Sequence, residues 1–260
     1  MVMFFGLTNS PATFQKMMNK IFYDLIAKGH VKVYLDDILI HTKKEDKTLH
    51  CELVEEVLKR LQDNDLYLKP EKCTFEAEEI EYLSVLIKEG QLAMDPGKVK
   101  SVMEWPELKK KSDVQSFLGF ANWYWKFIKD FSKVAKPLNR LTGNDPWKWD
   151  KEELEAFQAL KDCFSSYPVL RTWVQDKRSR IECDASNFAI GSIFSQQQED
   201  STWHPVAYFS KSMDDAERNY KIYDKEMLTI IKSLEHWQHF LLGSPHQLEI
   251  WSDHKNLEFW

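Results

Sequence analysis

Three features are scarce in this 260-residue chain, and each scarcity excludes a class of protein. No apolar run approaches the roughly 18 residues that a membrane-spanning helix needs, so we expect no membrane partner. No basic segment followed by a long apolar stretch opens the chain, so we expect no secretory signal. The four cysteines are far apart without a C-x-x-C pair, which argues against a zinc knuckle or a disulfide framework and fits a reducing compartment.

An excess of positive charge is also missing, because the formal net charge is −6. This argues against bulk attraction to nucleic acid, but the charge reverses locally. Between Lys98 and Arg140 ten basic residues face four acidic ones, a net charge of +6, and aromatic residues are interleaved with them. Such a segment can grip a phosphate backbone, and a solvated basic face over an aromatic core explains the same pattern. The bases are Lys98, Lys100, Lys109, Lys110, Lys111, Lys126, Lys129, Lys133, Lys136 and Arg140.

The first 93 residues show alternating helical and strand patterns. Ser10 as N-cap and Pro11 predict a helix that Gly29 can end, and an apolar hairpin follows. A second amphipathic helix is predicted through Leu49–Leu61, with short strands at Tyr67–Leu68 and Ile80–Ile87.

Helix signals dominate the middle of the chain. Asp95-Pro96 starts one helix, Ser112 with Gln115 forms a capping-box pattern, and Asp150 with Glu153 repeats it before a helix that Pro168 closes. Gly, Asn and Pro cluster at Thr142–Pro146, where we place the main boundary. Beyond residue 180 the pattern predicts strands at 181–184, 190–196 and 206–210, a helix at 216–242 and a strand at 248–252.

Two adjacent aspartates, Asp36 and Asp37, interrupt the apolar run Val31–Ile40. Aspartate is depleted in strands, and paired carboxylates repel each other, so burying them is costly unless something compensates. A divalent cation such as Mg²⁺ would compensate, since it binds carboxylates together with substrate phosphates. A hairpin whose turn happens to be Asp-Asp is the alternative that the residues leave open.

Several segments, in this order, resemble the reverse transcriptase and ribonuclease H of gypsy-type LTR retrotransposons. They are Phe5–Gln15, Tyr34–Leu39, Leu66–Cys73, Gln115–Asn122, Asp184–Ser186 and Trp251–Leu257. The resemblance implies a multidomain α+β and α/β fold. It comprises the C-terminal part of a polymerase palm (1–93), a helical thumb (94–143), a connecting helical segment (144–172) and a C-terminally incomplete ribonuclease H-like fold (173–260).

The resemblance also implies residue roles. In the polymerase site Asp36 and Asp37 would be catalytic and bind metal, and Phe5, Gly6, Gln15 and Ser84 would lie near substrate. A surface glutamine on a helix remains the alternative for Gln15. The implied cofactor is Mg²⁺ or Mn²⁺, two ions per active site, and the implied partners are an RNA template, a DNA primer, an RNA–DNA hybrid, dNTPs and further polyprotein segments.

A second catalytic and metal-binding set is implied at Asp184, Glu226 and Asp253, where two ions would cut the RNA of a hybrid. Glu226 lies among apolar residues of the predicted helix, so its carboxylate needs a partner or a metal. A helix-surface acid is its alternative, and a turn is the alternative for Asp184. His236 and His239, one helical turn apart, fit a packed or solvated pair better than a metal site.

The sequence departs from the family pattern at several positions. Phe4 stands where proline is usual, Ser84 and Val85 stand where Gly-His is common, and Trp125 stands where arginine is common. We expect the chain to lack a palm aspartate upstream of Met3 and a ribonuclease H carboxylate downstream of Trp260. It would then not extend a primer alone and would have weak or no ribonuclease H activity.

Two other functions stay open. One is a non-catalytic retroelement relic that acts as a nucleic-acid-binding or interaction module, and the other is a structural subunit that needs a second chain. We expect an intracellular location, in the cytoplasm, in virus-like particles or in the nucleus.

Overall fold

The computed structural model describes Gly6 and residues 8–143, 146–166 and 169–253. The chain divides into two compact units, Met1–Ala77 and Glu78–Trp260. We describe each unit by itself. No described helix is long and apolar enough to cross a membrane.

The first unit packs helices against one β-hairpin. Its elements are α1 (Ser10–Ile21), α2 (Tyr23–Ala27), β1 (Val31–Tyr34), β2 (Asp37–Ile40), α3 (Lys47–Asp63) and a short 3-10 helix at Pro70–Lys72. A small apolar core joins them, formed by Met18, Phe22, Leu25, Val31, Leu53, Val57 and Leu61. The helix predicted to continue to Gly29 is divided at Phe22, and Asn9 rather than Ser10 occupies the N-cap position.

The strand predicted at Tyr67–Leu68 is wrong, because both residues lie in irregular backbone. Tyr67 is 93% exposed and Leu68 44% exposed. A strand needs a neighbour to accept its ladder hydrogen bonds, and no described strand pairs with this segment.

The second unit begins with a four-stranded antiparallel sheet in the order β3 (Glu79–Tyr82), β4 (Val85–Lys88), β5 (Gln91–Met94) and β6 (Leu170–Arg171). The single strand predicted over Ile80–Ile87 is a hairpin instead. Leu83 and Ser84 form its two-residue turn, both with positive φ (51° and 61°). Such turns usually carry glycine or asparagine, so this apolar run gave no turn signal.

Helices follow in a compact bundle: α4 (Pro96–Met103), α5 (Lys111–Ala121), a 3-10 helix at Asn122–Phe127, α6 (Phe131–Val134), α7 (Lys136–Thr142) and α8 (Lys151–Ser165). Asp95 caps α4 by accepting a hydrogen bond from Gly97 N, 2.8 Å away. The capping box of Asp150 and Glu153 at α8 is confirmed. Pro168 lies outside the described residues.

The capping box predicted at Ser112 is wrong, because α5 starts one residue earlier, at Lys111. Asp113 instead reaches back and accepts a hydrogen bond from Lys109 N, 3.0 Å away. This contact joins the first turn of α5 to the residue that precedes its N-cap, Lys110.

Aromatic side chains of the basic segment belong mainly to the core of this bundle. Phe117, Tyr124 and Phe127 are buried, whereas Trp123 is 57% exposed. Most of the bases lie on the outside, including the consecutive Lys109, Lys110 and Lys111. The segment is therefore a basic surface over an aromatic core.

A second four-stranded sheet completes the unit. Its elements are β7 (Ser179–Ala185), β8 (Ala189–Gln197), β9 (Trp203–Ser212), α9 (Asp215–Arg218), α10 (Ile222–Leu241) and β10 (Glu249–Ser252). The sheet order is β10-β7-β8-β9; β10 is parallel to β7, and the other pairs are antiparallel. The predicted β-β-β-α-β order is confirmed, with the long helix divided into α9 and α10.

One face of this sheet carries α10. Ile181, Phe194 and Phe209 pack with Trp237 of the helix in one buried cluster. Ser192 and Ser233 form a buried hydrogen bond across the same interface, with 2.6 Å between their hydroxyl oxygens.

Candidate active sites

The tip of the β1–β2 hairpin presents two carboxylates to solvent. Tyr34 pairs with Asp37, so Leu35 and Asp36 form a two-residue turn, and both aspartates are exposed. Leu35 has φ 51°, a left-handed conformation that costs about 1–3 kcal/mol for a residue other than glycine. Such strain persists only where the surroundings hold the turn in place.

Gln15 of α1 supplies that support. Leu35 N donates to Gln15 Oε1 (2.6 Å), and Gln15 Nε2 donates to Val33 O (3.1 Å) and to Asn19 Oδ1 (2.8 Å). Gln15 is half-buried, so it is not a solvated surface glutamine. The side chain predicted to lie near substrate thus binds the backbone beside Asp36 and fixes the direction in which the turn presents it.

The other residues predicted near substrate lie in three different settings. Phe5 lies outside the described residues. Gly6 is exposed with φ 102°, and a Cβ there would meet nothing within 4 Å, so only its backbone conformation calls for glycine. Ser84 adopts positive φ in the β3–β4 turn, and its carbonyl accepts a hydrogen bond from Tyr124 Oη at 3.0 Å.

The second set of carboxylates lies at one end of the β7–β10 strand pair. Asp184 is the penultimate residue of β7, and Ser252 of β10 is in register with Cys183. Asp253 directly follows β10, so it lies alongside Asp184. Both aspartates are exposed.

Glu226 of α10 connects these two strand ends. Its Oε1 accepts from Ala185 N and its Oε2 accepts from Ser252 Oγ, each at 3.1 Å, and the residue is only 2% exposed. Burial raises the pKa of Glu226, the two hydrogen bonds oppose that rise, and the charges of Asp253 and Asp184 add to it. The alternative of a helix-surface acid does not apply.

Carboxylate oxygens of this kind suit a hard divalent cation, whose charge would offset the buried Glu226 and its two acidic neighbours. Within the described residues, however, no group of three or more acidic, histidine or cysteine side chains is arranged to hold a metal ion. The oxygen ligands and the negative charge of these residues therefore suit Mg²⁺. The described side chains are not, however, already arranged around one ion.

The two histidines on α10 differ in burial, since His236 is half-buried and His239 is exposed. His236 stacks on Phe209 with 4.7 Å between ring centroids and lies 5.7 Å from Trp125. Burial lowers its pKa, and the charges of Lys126 and His239 lower it further. His239 lies against Phe240, 4.0 Å between centroids.

Asp130 is an acidic neighbour of Asp184 that the sequence did not single out. It has φ 54° immediately before α6, and its Oδ1 would lie 2.5 Å from a Cβ added to Gly191. Gly191 is directly opposite Asp184 on the neighbouring strand, so Asp130 lies over the same face of the sheet. Burial raises the pKa of Asp130, and the charge of Asp184 adds to the effect. No spacing rule connects residues 130 and 184, so no sequence signal could have found this neighbour.

A groove of about 550 Å³ lies between the helical bundle and β9. Amide and hydroxyl groups line much of it, including Gln115, Asn122, Asn139 and Ser210. These groups can donate and accept hydrogen bonds beside the exposed basic residues of the same segment.

Comparison with known families matches both halves of the chain. Residues 1–87 match the model described as reverse transcriptase (RNA-dependent DNA polymerase). Residues 149–250 match the model described as an RNase H-like domain found in reverse transcriptase.

Curated relatives and solved structures agree with this. The Tf2-3 and Tf2-7 transposon polyproteins of Schizosaccharomyces pombe are 37% and 36% identical over 258 residues, which is 99% of this chain and 19% of each relative. The chain thus spans about a fifth of the length of these relatives.

The foamy viral protease-reverse transcriptase in complex with RNA/DNA hybrid has a TM-score of 0.79 at 20% identity, covering 97% of this chain and 33% of that one. Its complex with dsDNA also gives 0.79, covering 99% and 52%.

The chain therefore belongs to the reverse transcriptases that carry a ribonuclease H-like domain. More particularly, it is similar over nearly its whole length to the Tf2 transposon polyproteins. The predicted family and fold class are confirmed.

Proposed function

We propose that this chain serves RNA-directed DNA synthesis and cleavage of hybrid RNA as part of a longer retrotransposon polyprotein. The observation that carries this proposal is the buried Glu226, whose carboxylate joins the ends of β7 and β10 between Asp184 and Asp253. A protein gains no stability from gathering three acids in this way, which favours a functional reason.

In the polymerase half, Asp36 and Asp37 would hold Mg²⁺ or Mn²⁺, two ions per site. Bound metal would lower the pKa of the primer 3′-hydroxyl and neutralise charge on the transferring phosphate of a dNTP. Gln15 keeps the strained turn in one conformation, so both carboxylates are presented without reorganisation. The exposure of both aspartates leaves them accessible to substrate phosphates.

In the ribonuclease H-like half, Asp184, Glu226 and Asp253 would hold the metal, which supplies a hydroxide that attacks the RNA phosphate. The two hydrogen bonds to Glu226 use one site on each oxygen and leave further lone pairs for ligation. Burial and the charges of Asp253 and Asp184 raise the pKa of Glu226, and the charge of a bound cation would offset both effects.

The nucleic-acid partners would contact the basic surface of the helical bundle and the amide-lined groove beside it. An RNA template, a DNA primer and their hybrid all present phosphates that exposed lysines attract. The related foamy viral structures contain RNA/DNA hybrid and dsDNA, which supports this assignment. Further polyprotein segments would complete the assembly.

The test is an activity assay with paired variants. We expect the purified 260-residue chain not to extend a primer and to cleave hybrid RNA weakly, with Asp184→Asn abolishing the cleavage. Template-dependent incorporation that Asp36→Asn removes would show that the polymerase half works without further segments. Cleavage that persists unchanged in Asp184→Asn would refute the assignment of the second site.

A second candidate function is a non-catalytic module that binds nucleic acid. The observation in its favour is that the described side chains do not form a metal-ligand group. It predicts hybrid binding that needs no Mg²⁺ and weakens steeply with salt. It also predicts that Asp36→Asn and Asp184→Asn change stability alone, so the same variants distinguish the two functions.

A further inference from the structure

The segment 130–136 of the helical bundle lies against the strands and the turn that carry Asp184. Asp130 approaches Gly191, and Ser132 N donates a hydrogen bond to Ser210 Oγ at 3.0 Å. Lys136 Nζ lies 3.4 Å from the centroid of the Phe188 ring. The three contacts are spread over β8, β9 and the β7–β8 turn, so this segment meets one continuous surface.

The β7–β8 turn follows Asp184 directly and is held from several sides. Ser186 Oγ donates to Ala189 O at 2.8 Å and accepts from Ala189 N at 3.0 Å. Met213 N donates to Phe188 O at 2.8 Å. These contacts hold the backbone of the turn. The Phe188 ring is held by Lys136.

A buried lysine of α10 also holds the turn. Lys225 is 6% exposed, and its Nζ donates to Asn187 O at 3.4 Å. Lys225 directly precedes Glu226 in the chain, so the helix that carries Glu226 also contacts the β7–β8 turn. The turn is thus held by Lys225 of α10 and by Lys136 of α7.

We propose that Lys136 is a positioning residue for the ribonuclease H-like site. Its ammonium on the Phe188 ring fixes the turn that follows Asp184, and with it the Ala185 N–H that binds Glu226 Oε1. Lys136 is half-buried, and a cation–π contact is stronger where the cation is partly desolvated. The helical bundle is accordingly part of the site. This inference rests on the proposed function of Asp184 and Glu226.

Hydrogen exchange of the metal-free full chain tests the inference without any activity. We expect Lys136→Met to speed amide exchange in the segment 184–190 about tenfold, the size that loss of a desolvated cation–π contact predicts. Lys136→Arg keeps a cation over the ring and restores the slow exchange. Lys151→Met is the matched control, because Lys151 is exposed on α8 and, among the described residues, its ion-pair partner is Glu155 one helical turn away.

Phe188→Leu probes the same contact from the turn, should Lys136→Met fail to fold. It leaves the bundle unchanged and gives the same faster exchange if the inference holds. Exchange in either variant equal to that in Lys151→Met overturns the inference. The inference is also overturned if Lys136→Arg does not restore slow amide exchange in the segment 184–190. A purely steric role for Lys136 would not distinguish a charged side chain from an uncharged one.

A Mn²⁺ titration followed by electron paramagnetic resonance adds a readout at the acids themselves. The metal alone is the probe, and Asp184→Asn identifies the signal that belongs to this site. We expect Lys136→Met to weaken Mn²⁺ binding about tenfold, as loss of an outer-shell support does, and Lys136→Arg to restore it. If Asp184→Asn leaves hybrid cleavage unchanged, the proposed function fails, whereas the exchange result judges the role of Lys136 separately.

Discussion

At the scale of single residues, polar side chains hold both candidate sites in place. Gln15 bonds the hairpin that carries Asp36 through both its amide oxygen and its amide nitrogen, and Glu226 uses both carboxylate oxygens on the ends of two strands. Each is a polar group largely withdrawn from water, so its partners cannot be removed without cost.

For Gln15, we expect Gln15→Leu to lower the free energy of unfolding of the first unit by about 1–3 kcal/mol, because Leu35 N–H loses its acceptor. Urea denaturation measures the effect. Gln15→Glu is the control, since it keeps an acceptor for Leu35 N–H. A loss in Gln15→Glu as large as that in Gln15→Leu would show that the bond to Leu35 is not the stabilising one.

For Glu226, the pH dependence has a definite sign. Its pKa in the folded protein is raised, so the stability associated with its protonated form is present below the ordinary value of 4.5 and is lost as pH rises through the raised value. Glu226→Gln keeps an oxygen acceptor without the charge. In the absence of divalent metal, the Tm of Glu226→Gln should equal that of the unmodified chain at about pH 4 and exceed it at about pH 8.

Thermal unfolding at several pH values checks this. Added Mg²⁺ should raise the Tm of the unmodified chain at the higher pH and leave Glu226→Gln unaffected. A Tm difference that does not vary with pH would contradict the prediction.

At the scale of elements, helix α8 shows how capping and an apolar face act together. Asp150 and Glu153 satisfy its first N–H groups, and Ala156, Phe157, Leu160 and Phe164 are buried. The capping box therefore marks where the helix starts, and the period of the apolar residues decides which face it buries.

We expect Leu160→Ala to cost about 2–5 kcal/mol in the stability of the second unit, because Leu160 is fully buried and leaves a cavity. Leu154→Ala on the same helix is the matched control. Leu154 is 50% exposed, and its truncation should cost within about 0.5 kcal/mol. Denaturant titrations of both variants provide the comparison, and equal losses would disprove the burial argument.

Helix α3 is tied to α2 by an ion pair whose effect depends on pH. Arg60 hydrogen-bonds Asp24 through both nitrogens of its guanidinium end, at 2.5 and 3.0 Å. The Arg60 guanidinium lowers the pKa of Asp24 from 3.8 to about 2. The stability from this pair is therefore present above 3.8 and is lost as pH falls through about 2.

The urea midpoint of the first unit should fall more between about pH 4 and pH 2 in the unmodified chain than in Asp24→Asn. The effect is small because Asp24 is half exposed and solvent screens the pair. If the urea midpoint falls equally with pH in the two proteins, the ion pair contributes nothing measurable to stability.

At the scale of the whole molecule, Trp125 links the two larger clusters of the second unit. Among the described side chains, it is the one that packs against both the cluster of the helical bundle and the cluster between the sheet and α10. Its ring lies 6.4 Å from Phe209 and 5.7 Å from His236. Trp125 therefore forms a packing contact at the junction of the two clusters.

Trp125→Arg should therefore separate the thermal unfolding of the second unit into two transitions, because the arginine is repelled by Lys126 and no longer fills the junction. Differential scanning calorimetry measures this. Trp123→Arg introduces the same residue at a neighbouring position that is 57% exposed, and it should keep the original profile. Two transitions in both variants would show that Trp125 has no special role at the junction.

Local patterns predicted the elements well where the signal was a period or a cap. The β-β-β-α-β order, the Asp95 and Asp150 caps and the aspartate hairpin all follow from such signals. The failures have separate causes. The turn at Leu83–Ser84 carries neither the glycine nor the asparagine that positive φ favours, and Tyr67–Leu68 has strand residues but no described strand that pairs with them. The predicted domain limits stay a prediction.

The sequence by itself determined the family, the order of elements and the carboxylates, because each rests on residue type and on spacing along the chain. Only the tertiary structure decided what surrounds them. The bonds from Gln15 to the turn, the burial of Glu226, the approach of Asp130 to Gly191 and the contact of Lys136 with Phe188 join residues 18 to 61 positions apart. Such contacts depend on how elements pack in three dimensions. The period of apolar residues indicates which face an element buries, but not which residues of another element that face meets.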